Sequence, residues 1–384
     1  MKINNKKEVP QGGLILEEKP FVYILCEKFR TDRCDFCFQK GQLFKCSVCR
    51  YTYYCGRACQ REGWTVHKLE CKYLKQISPR ILPDSGRLLA RLIKILEKGG
   101  LNTKSYYTDI RFRTFKDLMS HYPNLKNDST RMEHFSSLYA VLYDFFRGES
   151  LPNSAELMGM YGRIYISYID VMATKQERLQ ELEQAYYFLC RCVKCINPEP
   201  IIEMTGAACP NSDCSNCIDS FTIKPDDECS ACGTIISEEF IQLFQDVMDM
   251  TCMHLENMKE TTFLDVCKVC LKKQKGVLYK YNVKHIKTLD LAFDSSIEFG
   301  KFEEATEYGL QLIKSFYEYY GNVHPMIGLL HLKLAKLLLH QDCCADALSH
   351  LKKAKDILKI THGMCSSIFK EHLLPLYQDI MIEN

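Results

Sequence analysis

The apolar positions change period several times along the chain, and each change marks an element. Residues 12–26, "GGLILEEKPFVYILC", are rich in Ile, Leu, Val and Tyr and are split by a charged turn, which predicts two short strands. In residues 85–100, "SGRLLARLIKILEKGG", Leu88, Leu89, Leu92, Ile93 and Leu96 recur at helical spacing, and Gly99 and Gly100 stop the helix. Residues 115–148 continue as mostly helical text around "HFSSLYAVLYDFF". "SAELMGMYGRI" (154–164) predicts a further helix with Ser154 as its cap. The pattern then turns strand-like in "YISYIDV" (165–171) and becomes a charged amphipathic helix in "TKQERLQELEQAYYF" (174–188). From Glu238 onward the text is helical almost throughout. The fold class this predicts is α+β, mostly α.

Composition sets the bounds. A chain of 384 residues suggests two to three domains, and 46% hydrophobic with 26% charged residues is ordinary for a globular protein. No apolar run approaches the ~18 residues of a membrane span, so no membrane partner is expected. The start, "MKINNKKEVPQGGLILEEKP", is basic but has no apolar core, which argues against a secretory signal. The 22 cysteines are clustered, and without secretion such clusters point to metal in a reducing compartment rather than to disulfides. Nucleus and cytoplasm both fit, and no basic nuclear-import cluster stands out.

The clusters follow metal-ligand spacing. Cys34-x2-Cys37, Cys46-x2-Cys49, Cys55-x3-Cys59 and His67-x3-Cys71 supply eight ligands, enough for two tetrahedral zinc ions. So short a segment has little apolar surface to bury, and metal supplies much of its folding free energy. From Thr31 to Lys75 nine Lys or Arg face four acidic residues, whereas the whole chain carries only +2. That local field favours phosphate or acidic partners, including weak nucleic-acid contact. Further along, Cys190-x-Cys192-x2-Cys195 gathers three thiols, one short of a tetrahedral site. Cys209-x4-Cys214 and Cys229-x2-Cys232, set among turn residues, have the shape of a zinc ribbon, with Cys217 either spare or in place of Cys214. A ribbon thiol could also complete the three-thiol site. Cys267-x2-Cys270 lies within helical text, and its thiols are expected in the core.

The text "CDFCFQKGQLFKCSVCRYTYYCGRACQREGWTVHKLEC" resembles a MYND zinc finger. The resemblance, not the spacing, implies interleaved ligands. Cys34, Cys37, Cys55 and Cys59 would hold one zinc, and Cys46, Cys49, His67 and Cys71 the other. Gln60 and Trp64 fall where MYND fingers present a polar and an aromatic contact to proline-containing peptides. Trp64 could equally pack the finger core. In the tail, "KFEEATEYGLQLIKSF" and "CCADALSHLKKAKDIL" resemble tetratricopeptide-like hairpins, with Ala305 and Ala347 in matching places. Their 42-residue separation exceeds the usual ~34, and a plain helical bundle is the alternative.

The order of these parts resembles the SET-and-MYND family of protein-lysine methyltransferases. The segment "SYIDVMATKQERLQELEQAYYFLCRCVKC" is similar to the end of the catalytic SET domain and its post-SET cysteines. The resemblance implies an active-site role for Tyr168 and a post-SET zinc on Cys190, Cys192 and Cys195. The departures are large. Gly12 and Gly13 are not the family's Gly-x-Gly cofactor stretch, and its Asn-His-Ser-Cys-x-Pro-Asn block has no counterpart. That block binds S-adenosylmethionine and supplies the fourth post-SET thiol. Text that ends a helix near Ile164 runs directly into Tyr165, which reads as an internal deletion at 164/165. The expected organisation is a SET strand remnant (1–30), a MYND finger (31–75), a helical insert (76–164), the end of SET with the post-SET cluster (165–195), a zinc ribbon (196–237) and the helical tail (238–384). The expected function is a zinc-binding interaction or regulatory protein that performs no methyl transfer. The alternative is a truncated form of an S-adenosylmethionine-dependent protein-lysine (histone) methyltransferase, with that cofactor bound only where an intact SET domain exists. Expected partners are proline-containing peptides or other proteins, met through the finger and the tail.

Overall fold

The computed structural model describes Gly13 and residues 20–106, 110–118, 120, 122–149, 151–164, 169–170, 172–196, 202–258 and 263–383. Two compact units are present, one built from residues 14–168 and the other from residues 1–13 and 169–384.

The first unit begins with irregular chain tied down by turns. β1 (Phe44–Lys45) and β2 (Tyr53–Tyr54) pair antiparallel, with Phe44 opposite Tyr54. Helices α1 (Arg57–His67) and α2 (Cys71–Ile77) follow. The periodicity of residues 85–100 becomes α3 (Asp84–Glu97), which buries Leu89, Leu92, Ile93 and Leu96. It also buries two arginines, Arg87 and Arg91. β3 (Ser105–Tyr106) and β4 (Phe112–Arg113) form a second short ladder. α4 (Tyr122–Leu125), α5 (Ser129–Phe145) and α6 (Ser154–Ile164) complete the unit. α2 and α3 both pack on α5. Tyr73 of α2 meets the rings of Phe145 and Phe146 at 5.5 and 4.8 Å between centroids.

Two local expectations change. Residues 20–26 form no strand, and residues 14–19 and the strand-like 165–168 lie outside the described residues. An extended segment becomes a strand only where a neighbour takes its N–H and C=O groups. The ladders among the described residues do not reach residues 20–26. Instead the Tyr23 carbonyl accepts from Arg91, and residues 27–29 close into a 3-10 turn. α6 is capped by Asn153, not Ser154: the Asn153 carbonyl oxygen Oδ1 accepts the Glu156 N–H at 2.9 Å.

The second unit opens with α7 (Lys175–Tyr186), started by a capping box between Thr174 and Glu177, and the short α8 (Val193–Ile196). β5 (Ala207–Ala208) and β6 (Cys217–Ile218) form the ribbon ladder. α9 (Glu238–Asn257) and α10 (Leu264–Gln274) follow. Then come α11 (Val283–Glu298), α12 (Phe302–Tyr320), α13 (Pro325–His340) and α14 (Cys344–Thr361). A π-helical turn, Ile368–Leu373, leads into α15 (Leu374–Glu383). The short connections from α11 to α14 make successive helices antiparallel neighbours. α12 approaches closely because Gly309 lacks a side chain: a Cβ there would lie 2.7 Å from both Leu334 and Phe293. Ala305 and Ala347 are fully buried. α13 is apolar nearly all round because it is covered on two sides. Leu330, Leu334 and Leu337 join the core with α11 and α12, while Leu332, Ala335 and Leu338 join the core with α14 and α15. No helix among the described residues is long and apolar enough to cross a membrane.

One polar chain crosses this tail. His331, fully buried on α13, meets His350 of α14 at 2.7 Å between Nδ1 atoms and Tyr317 of α12 at 3.1 Å. Burial, helped by His350 and Lys353, lowers the His331 pKa to about 4. The unfolded chain therefore binds a proton that the folded tail refuses. Stability is full above the ordinary histidine pKa of ~6.5 and falls as pH drops from there towards 4. Melting curves should show a steeper loss of stability between pH 7 and 5 for the native chain than for His331→Gln. Equal slopes would mean that His331 does not set this dependence.

Candidate functional site

Three Cys-x2-Cys stretches fold into the same knuckle. In Cys34–Phe38, Cys46–Arg50 and Cys229–Gly233 the fifth residue donates its N–H to the carbonyl of the first, at 3.0, 3.0 and 2.8 Å. That closing residue adopts positive φ in each: 62° at Phe38, 58° at Arg50 and 69° at Gly233. The turn aims both thiols of a knuckle to one side, where a second ligand pair can meet them.

In the first unit the pairs meet crosswise. Cys34 and Cys37 gather with Cys55 and Cys59, and Cys46 and Cys49 gather with His67 and Cys71, with all ligand atoms of each group within 4.8 Å of one another. β2 and α1 carry Cys55 and Cys59 back to the first knuckle, while the end of α1 and the start of α2 bring His67 and Cys71 to the second. The sulfurs of Cys37 and Cys55 lie 3.7 Å apart, those of Cys55 and Cys59 3.4 Å, and those of Cys46 and Cys71 3.9 Å. A tetrahedron of Zn–S bonds has an edge of about 3.8 Å, so the donor set fits zinc. His67 Nε2 lies 3.5 Å from the Cys49 sulfur. Burial pushes the Cys49 thiol up, but the His67 contact and nearby backbone N–H groups outweigh it and bring its pKa down to about 6. Burial disfavours a charged His67, yet Cys49 and Glu70 raise its pKa to about 10. A field that draws a proton so strongly also draws a cation.

Behind the second group lies a buried ion network. His67 presents its other nitrogen, Nδ1, to Glu70 at 3.4 Å. Arg87 donates to Asp35 at 2.8 and 3.1 Å and to Glu70 at 2.9 Å. Arg91 donates to Glu70 at 2.6 and 3.2 Å, and lies 3.4 Å from Asp35. All four side chains are at most 5% exposed. Burial alone would raise the Glu70 pKa, but Arg87 and Arg91 hold it well below the usual carboxylate range. Two acids and two arginines balance in charge, and Asp35 follows Cys34 just as Glu70 precedes Cys71. No ligand spacing in the sequence marks this network. Its signal is two arginines one turn apart on a helix whose other buried residues are apolar or glycine.

The second unit carries two further groups. Cys209, Cys214, Cys229 and Cys232 come together, with sulfurs 3.6 Å apart for Cys209 and Cys232 and 3.9 Å for Cys214 and Cys229. Cys217 stands apart in β6, beside the carbonyls of Ile202 and Ile218, and burial raises its thiol pKa to about 12. Cys190, Cys192 and Cys195 form a three-thiol group, and among the described residues no fourth ligand joins them. Cys267 and Cys270 are buried core residues of α10. Gln60 and Trp64 lie on α1, where they line a groove of about 340 Å³ with Val48, Arg57 and Arg61. Trp64 is 44% exposed, and its other edge packs on His67 at 5.7 Å between centroids. Tyr168 lies outside the described residues.

Residues 34–71 match the MYND finger family. Over 434 aligned positions the chain is 25% identical to the histone-lysine N-methyltransferase SMYD3 of Mus musculus and 26% identical to that of Homo sapiens, covering 95% of this chain and 92% of each relative. It is 23% identical to the histone-lysine N-methyltransferase ASHR1 of Arabidopsis thaliana, covering 94% of this chain and 89% of that one. The chain carries a MYND finger and is similar over nearly its whole length to SET-and-MYND methyltransferases. Its finger is a zinc-binding MYND finger. The aligned span exceeds the 384 residues of the chain, so these SET-and-MYND relatives contain positions that have no counterpart here.

Glu70→Gln should keep the shape of the side chain but remove the charge that orients His67 and answers two arginines. Loss of such a carboxylate behind a ligating histidine typically weakens metal binding ~10–100-fold. Competition with a chromogenic chelator should show one of the finger's two zinc ions released early while the other is retained. Unchanged release of both ions would remove Glu70 from the zinc site.

Proposed function

We propose that this chain is a zinc-organised interaction protein of the SET-and-MYND family that performs no methyl transfer. The observation carrying this reading is the missing Asn-His-Ser-Cys-x-Pro-Asn block between Ile164 and Tyr165. The three-thiol group supports it, because the block would have supplied the fourth thiol. Methyl transfer needs an enclosed donor pocket and a lysine held in line with it, and most of the rate comes from that positioning. Tyr168 has no such partners in the sequence. Titration calorimetry with S-adenosylmethionine should give no saturable heat, and methyl transfer to histone and other protein substrates should stay at background. Saturable donor binding with turnover lost in Tyr168→Phe would overturn the proposal.

A second reading is favoured by the relatives, which are methyltransferases matched over about nine-tenths of their length. In that reading the chain is a shortened form of a protein-lysine methyltransferase. Inserting the missing central segment, together with the Gly-x-Gly stretch, should then restore both donor binding and turnover.

The interaction surface of the finger is the groove at Trp64. An exposed indole, the half-buried Gln60 amide and the apolar Val48 suit a proline-containing peptide, whose rigid backbone loses little entropy on binding. Trp64→Ala should weaken such a peptide at least tenfold while both zinc ions remain bound. Unchanged affinity in a metal-loaded variant would exclude the groove.

A further inference from the structure

Beside the ribbon, within the second unit, a cleft of about 580 Å³ opens between the Ser215–Asn216 turn and helices α10 to α12. Its walls carry Lys268, Lys272, Lys275 and Lys280, and no Asp or Glu. Lys268 and Lys272 are one turn apart on α10 and share a face. Lys275 is the C-cap of that helix, and Lys280 lies on the connection to α11. Of these four lysines only Lys268 has a carboxylate partner among the described residues, Glu304, which does not line the cleft. Lys280 lies over the rings of Tyr279 and Tyr281. Glu203 and Glu318 act on Tyr279 from outside the cleft. A helix C-terminus favours cations and accounts for Lys272 and Lys275. It does not account for Lys268, near the start of α10, or for Lys280 beyond its end.

The floor is rigid. Gln274, 1% exposed, donates its amide to Thr251 and Thr288 at 3.1 and 3.0 Å, so its carbonyl oxygen accepts from His285 Nδ1 at 2.8 Å. Three ammonium groups with no carboxylate partner among the described residues, and a fourth paired with Glu304, surround one concave volume; they repel each other, and an entering anion relieves that repulsion. The volume suits a compact ligand rather than a length of extended chain. The cations are all lysines. Ammonium groups act as point charges that meet phosphate oxygens from any direction, whereas a planar guanidinium pairs two-point with a carboxylate or a phosphate in a fixed geometry.

We propose that this cleft binds a compact, multiply phosphorylated small molecule, independently of any methyl transfer. The test is titration calorimetry on the full-length, zinc-loaded protein with inositol hexakisphosphate as probe. Saturable one-to-one binding that weakens steeply with salt is expected. Lys272→Glu combined with Lys280→Glu should weaken it at least tenfold. Lys273→Glu, exposed on the same helix but outside the cleft, should leave it unchanged. Circular dichroism identifies variants that fold, and the mutated side chains are solvent-exposed. No saturable binding, or an equal loss in Lys273→Glu, overturns the proposal. Tighter binding of a decaglutamate peptide than of the phosphate probe also overturns it and reassigns the cleft to an acidic protein partner.

Discussion

Asp35 and Glu70 cannot reach water, and the first unit is arranged around that constraint. An ionised carboxylate buried without a partner costs several kcal/mol, and breaking a buried pair by removing one member typically costs ~3–5 kcal/mol. Here the partners come from outside the finger. Arg87 and Arg91 project from α3, and each reaches both acids. The zinc ligands, the acids next to them in sequence and the helix therefore form one electrostatic object. A finger excised at residue 75 would keep both acids and lose both arginines. In charge terms the finger ends with α3. The arrangement also changes how the basic surface of the finger is counted. Two of its four acidic residues face inward, so the solvent sees a more positive surface than the sequence balance suggests.

Much of this was legible because metal chemistry is local. Cys-x2-Cys is the shortest spacing that closes a knuckle, so ligand pairs can be read without knowing the fold. Which pairs share an ion is decided by distant turns, and spacing alone left that open. The helix of residues 85–100 was legible from its leucines, whereas Arg87 and Arg91 looked like ordinary charged positions until their partners were placed. The strand expected at residues 20–26 did not form for a related reason. Strand propensity is a statement about a segment, and a strand is a statement about its neighbour. Ser154 had the right chemistry for a cap, but the preceding Asn153 had the right position.

Members of the Cys/His groups that could hold metal also stand in the walls of both concave surfaces. Cys46 lines the groove at Trp64, and Cys214 lines the lysine cleft. Metal held by these groups would therefore set the walls of the two proposed binding surfaces as well as tie chain segments together. Two of the three knuckles close on a non-glycine residue in the left-handed region, which costs roughly 1–2 kcal/mol for an L-residue. The hydrogen bonds from Phe38 to Cys34 and from Arg50 to Cys46 close the turn at that cost, whereas Gly233 closes its knuckle without it.

Helix α13 raises a question of timing. It has two apolar faces, and they are covered by parts of the chain made at different times. As the polypeptide emerges, α11 and α12 are already available to cover Leu330 and Leu334. Leu332, Ala335 and Leu338 wait for α14 and α15 to be synthesised. A nascent chain paused after His340, or a product cut there by a protease, would present a leucine stripe to the solvent. Such a stripe is the kind of surface that chaperones hold and that drives aggregation when nothing holds it. The last forty or so residues thus act as a cover for a helix that cannot remain soluble without them.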